Sequence, residues 1–151
     1  MTKNVIVLKN NFPAFRKALS GEALMEAVKD GGLVIKQNAM LNASRGRPGL
    51  AIDSGDLTNS IIVEEAEKTA TSASVNVGTG VEYAAIHEFG GIIKARVKKA
   101  LHFVVNGQYR FAKAVVIPAR PYLRPAVDEH KPEIQTAIEA SLRASMEKAL
   151  K

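Results

Sequence analysis

Nine residues, Pro118 to Ala126, constrain this chain more than any other stretch. They read Pro-Ala-Arg-Pro-Tyr-Leu-Arg-Pro-Ala, with three prolines, two arginines and one aromatic. Proline fixes its own φ and pushes the residue before it toward extended conformations. The segment is therefore expected to be a stiff extended strap. A β-like region precedes it and an amphipathic helix follows, so the strap should pin one to the other. Tyr122 and Leu123 are its candidate anchors, and Arg120 and Arg124 are available to partners.

The pattern before the strap is mixed. Val5 to Leu8 is a short β-rich run, a candidate edge strand, and Pro13 suits the first turn of a helix. From Glu22 to about Ala43 the spacing is helical, with Leu24, Val28, Gly31, Ile35 and Ala39 close to one stripe. The Gly31-Gly32 pair weakens such a helix by about 1 kcal/mol per glycine relative to alanine. Either a kink or the close approach of another backbone would account for it. Ser44 to Gly49 is a basic, turn-rich loop without the Lys-Ser/Thr ending of a nucleotide-binding loop. Two strands are expected at Ile61–Glu67 and Ala73–Val77, joined as a hairpin. In the second, Ala73, Val75 and Val77 alternate with polar residues in the period of a half-buried strand.

Tyr83 to Phe89 is ambiguous between strand and helical turn, and Gly90-Gly91 closes it. A second hairpin, Leu101–Val105 with Tyr109–Ile117, is centred on Asn106-Gly107, the strongest short hairpin signal. It belongs to a protruding arm of about residues 91–117, on which Lys94, Arg96, Lys98 and Lys99 are exposed. After the strap, Ile134, Ile138, Leu142, Met146 and Leu150 recur every four residues along a helix from Pro132 to Leu150. The fold class read from this order is α+β in a single domain, residues 1–151. An antiparallel sheet of about four to five strands should carry the long N-terminal helix and the C-terminal helix packed on it.

Length and composition narrow the function. A chain of 151 residues can bury roughly 70% of its unfolded surface. The absence of cysteine excludes disulfides and thiolate chemistry and suits a reducing compartment. No apolar run approaches the ~20 residues of a membrane span. The net charge of +6 is the residue of opposed blocks. Residues 50–93 hold one basic and seven acidic side chains, and residues 94–127 hold eight basic and no acidic ones. Such segregation suits self-association between unlike faces, or nucleic acid held on the basic block. Alternatively, both blocks are solvated faces that neutralise each other within one molecule.

Candidate catalytic sites are weak. His87-Glu88 lacks the second histidine three residues later that a zinc helix needs, because Phe89, Gly90 and Gly91 follow. No nucleophile elbow is present, and Ser54 and Ser60 have no base beside them in sequence. Asp53 and Asp56 fall in a turn rich in Gly, Ser and Asp, which explains them without chemistry. Arg120 and Arg124 suit a phosphate or carboxylate, or equally the acids of a neighbouring strand or subunit. Phe103, Tyr109 and Phe111 interleave with the basic block as a nucleic-acid platform would, but alternate as core residues do. The residues suggest no enzyme, cofactor or metal.

Three separated motifs carry a resemblance. They are Ser54-Gly55-Asp56-Leu57 with Ser60-Ile61, then Tyr83-Ala84-Ala85-Ile86-His87-Glu88-Phe89-Gly90, then Pro118 to Ala126. In this order they resemble the small tail-component family of long-tailed phages, the lambdoid gene-product-ten-like group related to tail-completion and virion morphogenesis proteins. That family has Thr where Ser54 stands and Phe where Tyr122 stands, and its compact members have a shorter arm between Gly91 and Ile117. The likeness spans roughly residues 22 to 130.

The resemblance implies a structural subunit of the phage neck or tail end, active in tail completion or head–tail joining. It implies a ring of copies, six-fold, meeting the tail tube and the head-closure or connector protein near DNA in the channel. The location implied is the virion, with the host bacterial cytoplasm as the place of assembly. The motif residues expected to build interfaces or the structural motif itself are Gly55, Leu57, Ser60, Tyr83, Glu88, Phe89, Gly90, Arg120, Pro121, Tyr122, Arg124 and Pro125. The competing expectation is a basic DNA-binding module without catalytic activity.

Overall fold

The computed structural model describes residues 21–44, 55–69, 72–96, 99–105 and 107–149. The candidate strand at 5–8, the loop at 45–49, Asp53, Ser54 and Lys98 lie outside the described residues. Helix α1 runs unbroken from Gly21 to Ser44. Its apolar residues cover more than one stripe: Ala27, Ile35 and Ala39 are buried in the main core, while Val28 packs with Ala73 and Val75 in a second cluster.

The glycine pair explains how one helix serves two neighbours. A Cβ at Gly31 would meet Ile138 at 2.8 Å, and one at Gly32 would meet Val63 and Val75 at 3.0 Å. Neither a kink nor another backbone accounts for the glycines; the close approach is of side chains from α5 and from the first hairpin. On the Gly31 side lies α5 (Lys131–Ala149), which buries Ile134, Ile138 and Leu142 against α1. On the Gly32 side lies the first hairpin.

That hairpin is built from four short strands, β1 (Ile62–Val63), β2 (Glu67–Lys68), β3 (Ala73–Ser74) and β4 (Val77–Gly78). β1 pairs with β4 and β2 with β3, both antiparallel. Val63 opposes Val77 and Glu67 opposes Ser74, so the outgoing strand carries one extra residue between the two ladders. This is the signature of a β-bulge. Ala73, Val75 and Val77 are buried toward α1, as their alternation predicts.

After β4 come α3 (Ala84–Phe89) and a second hairpin of β5 (Gly91–Lys94), β6 (Leu101–Val105), β7 (Gln108–Ala112) and β8 (Ala114–Ile117). The Tyr83–Phe89 ambiguity resolves to helix. β6 pairs with β7 through Val105 opposite Gln108, as the Asn-Gly turn predicts, with Gly107 at φ 75°. β5 pairs with β8 from Gly91–Ile117 to Lys94–Ala114. The α+β class, the long N-terminal helix and the C-terminal helix stand as read. The strands pair two by two, giving two-stranded ladders in place of one continuous sheet.

The strap departs from expectation in its second half. Residues 118–121 lie outside helix and strand, but Leu123–Asp128 form a short helix, α4, with Pro125 inside it. The prolines did not forbid this. A helix leaves its first amides without intrahelical partners, so a proline in the first turn forfeits no hydrogen bond.

Candidate functional site

One side chain joins the second and third motifs. Glu88, near the end of α3, is 6% exposed, and its carboxylate accepts three backbone hydrogen bonds from the start of α4. Tyr122 N–H and Leu123 N–H donate to Oε2 at 2.8 and 2.9 Å, and Arg124 N–H donates to Oε1 at 2.9 Å. These are the cap and first two helical positions. The next is Pro125, which has no N–H to satisfy. The whole amide set at this terminus is thereby accounted for, with the negative charge at the end of the helix where it is favoured. A hydrogen bond to a charged acceptor contributes about 1.5–3 kcal/mol, so this clamp is among the strongest polar features of the chain.

The backbone around Glu88 is fitted to the strap. Arg120 N–H donates to the His87 carbonyl at 2.7 Å. Gly90 has φ 71°, and a Cβ there would stand 2.8 Å from the Ala119 nitrogen and 3.0 Å from the Ile117 oxygen. Only glycine fits both the left-handed backbone and the space. On the far side, Asn42 of α1 donates through Nδ2 to the Tyr122 carbonyl at 3.1 Å. Tyr122 itself is fully buried beside Leu123 and Ala126, as its anchoring role predicts. Burial first, and the Glu88 charge second, push its hydroxyl pKa up to about 12.

The first motif reaches this centre by a relay. Gly55, at φ 79°, caps the short helix α2 (Asp56–Ser60), and Leu57 is buried in the main core. The Ser60 hydroxyl donates to the Leu57 carbonyl at 2.8 Å and lies 2.6 Å from Thr79 Oγ1. Thr79 Oγ1 in turn accepts from Val81 N–H, and the Val81 carbonyl accepts from Ala84 N–H at the start of α3. Leu57, Ala84, Tyr122 and Leu123 share one buried cluster with α1 and α5. Three motifs separated in sequence thus meet around one helix.

Other motif residues remain at the surface. Tyr83 is exposed and sets its ring edge-on to His87 at 5.7 Å. Burial, and then the Arg120 charge, hold the His87 pKa below its ordinary value. Phe89 is exposed, and the Arg124 guanidinium stands 5.9 Å from its ring centre. Among the described residues neither Arg120 nor Arg124 forms an ion pair. Pro121 is exposed at the bend into α4.

The arm is a two-stranded ribbon whose described side chains are mostly exposed, with Leu101, Phe103, Val115 and Ile117 half-buried. Lys94 is exposed although its backbone pairs with Ala114, and Arg96 and Lys99 are exposed in the connection that follows. The alternation of Phe103, Tyr109 and Phe111 does not mark a core. Tyr109 is 70% and Phe111 71% exposed, because no helix packs extensively on this hairpin among the described residues. His102 stacks on both, with ring centres at 4.8 and 4.9 Å. This stack, Asn42 and Thr79 are the features the sequence did not disclose. A histidine directly opposite Phe111 in the hairpin register is the signal that points to the stack.

A buried carboxylate that accepts three backbone hydrogen bonds joins α3 to α4. The model of the phage virion morphogenesis family matches residues 34–147, well over half of the 151, and the chain belongs to that family. No curated protein and no solved structure matches it. Among the described residues no helix is long and apolar enough to cross a membrane.

Proposed function

We propose that this phage virion morphogenesis protein is a non-enzymatic structural subunit at the neck or tail end of the particle. It acts in tail completion or head–tail joining, as one member of a six-fold ring between the tail tube and the head-closure or connector protein. It assembles in the host bacterial cytoplasm and needs no cofactor. The observation that carries this reading is the Glu88 clamp. It joins α3 to the start of α4, and the Asn42 hydrogen bond to the Tyr122 carbonyl ties the same turn to α1. A preorganised body orders little on binding, which favours assembly.

Electron microscopy of lysates from a phage or prophage lacking the gene tests the role. Unjoined heads and tails, or tails of uncontrolled length, are expected. Normal infectious particles would contradict it.

The exposed His102–Tyr109–Phe111 stack on a basic ribbon favours a second reading, a DNA-binding module. Aromatic platforms flanked by cations stack bases with little sequence preference. That reading predicts micromolar affinity for DNA that falls steeply with added salt.

A further inference from the structure

The second hairpin is the part of the molecule that its own fold leaves unfinished. Isolated two-stranded ribbons are marginal in water, and this one exposes apolar side chains in cross-strand pairs. Ile92 opposes Val116, at 59% and 71% exposure, and Val104 opposes Tyr109. Exposed apolar side chains paired across strands in this way favour a contact site.

Charge identifies the occupant. From Phe89 to Val127 there is no acidic residue, and residues 91–117 hold six basic ones. Residues 55–82, which carry the first hairpin and its flanks, hold five acids and one lysine. Glu65, Glu67 and Glu82 are exposed there, and Ile62 adds an apolar spot on β1. Among the described residues the two hairpins make no extensive contact with each other, and Glu65, Glu67 and Glu82 form no ion pair with the ribbon. Exposed aliphatic pairs favour a protein partner over a polyanion, whose phosphates offer nothing to Ile92 or Val116.

We propose that the second hairpin of one subunit docks on the outer, acidic face of the first hairpin of a second copy. This deepens the ring reading and rests on it. Ribbon and acidic face are different patches, so each contact leaves one of each free. A heterologous contact of this kind propagates head to tail and closes when the rotation permits.

Complementation of the gene deletion with charge-reversed full-length chains tests this. One variant is Arg110→Glu with Lys113→Glu on the ribbon; the other is Glu65→Lys with Glu67→Lys on the first hairpin. Unchanged thermal melts of both purified variants will establish that each folds. Each alone is expected to lose plaque formation, and their coexpression to restore it, because each reversed patch meets a complementary one. A deletion without phenotype would sink the morphogenesis reading itself. With a clear deletion phenotype, full complementation by either variant alone would overturn only the docking proposal. Loss confined to the ribbon variant, with no recovery on coexpression, would also overturn it and point to nucleic acid.

Discussion

The two hairpins of this chain are built alike and finished differently. Each is a pair of short antiparallel ladders carrying β-branched residues, and each is interrupted between its ladders. The first lays Ala73, Val75 and Val77 on α1 and is part of the core. The second has comparable apolar content but carries Val104, Tyr109, Phe111 and Val116 in solvent. Position in the chain makes the difference. The first hairpin follows α2 and meets the glycine-opened face of α1 at Gly32. The second leaves from Gly90, where the strap occupies the space beside α3, and no helix packs extensively on it among the described residues. The same β-strand chemistry therefore closes the core in one case and stays exposed in the other, where the docking proposal places a second copy.

The largest effect should come from the joint between these regions. Glu88→Ala removes the acceptor of three amides, two of them in buried hydrogen bonds, and the expected cost is about 3–5 kcal/mol. Urea denaturation will measure it. A change below about 1 kcal/mol would show that α4 finds other partners.

A matched pair of valines tests the contrast directly. Val77→Ala should destabilise by about 2 kcal/mol, since it empties a fully buried site. Val116→Ala, on the ribbon, should stay within about 0.5 kcal/mol in the free chain. Equal costs at the two positions would abolish the distinction between a covered and an uncovered hairpin.

The smallest effect sharpens the account of the anchor. No group among the described residues hydrogen-bonds the buried Tyr122 hydroxyl. Tyr122→Phe should therefore be nearly neutral at pH 7. The hydroxyl's raised pKa means that the unfolded chain ionises first, near pH 10, while the folded chain keeps its proton until about 12. Tyr122 thus contributes a loss of stability as pH rises through that window, and the phenylalanine variant should lack it. Parallel alkaline denaturation curves for the two proteins would contradict this.

Much of the architecture was legible because it rests on periodicity. The stripe Leu24, Val28, Ile35, Ala39 and the four-residue repeat of α5 fix two helices, and Asn106-Gly107 fixes the second hairpin's register. What periodicity cannot convey is which neighbour a face meets. Gly31-Gly32 reads as weakness until Ile138 on one side and Val63 with Val75 on the other are known. Alternating aromatics on β6 and β7 have the pattern of core residues whether or not a second layer exists. The strap's prolines mark an irregular segment, found at residues 118–121, but hide α4. A first-turn proline is compatible with helix, and the acceptor that stabilises that turn lies on a separate element, 34 to 36 residues earlier. Glu88, Gly90, Tyr122 and Leu57 were named from the motifs; that one carboxylate serves three amides is information only the fold contains.

Hydrogen exchange compared between the free chain and assembled particles tests the central claim most directly. Amides of β1–β4 should be protected in both states. Amides of β5–β8 should exchange fast in the free chain and slow markedly on assembly. Protection of the second hairpin equal to that of the first in the free chain, or unchanged exchange after assembly, would contradict the account.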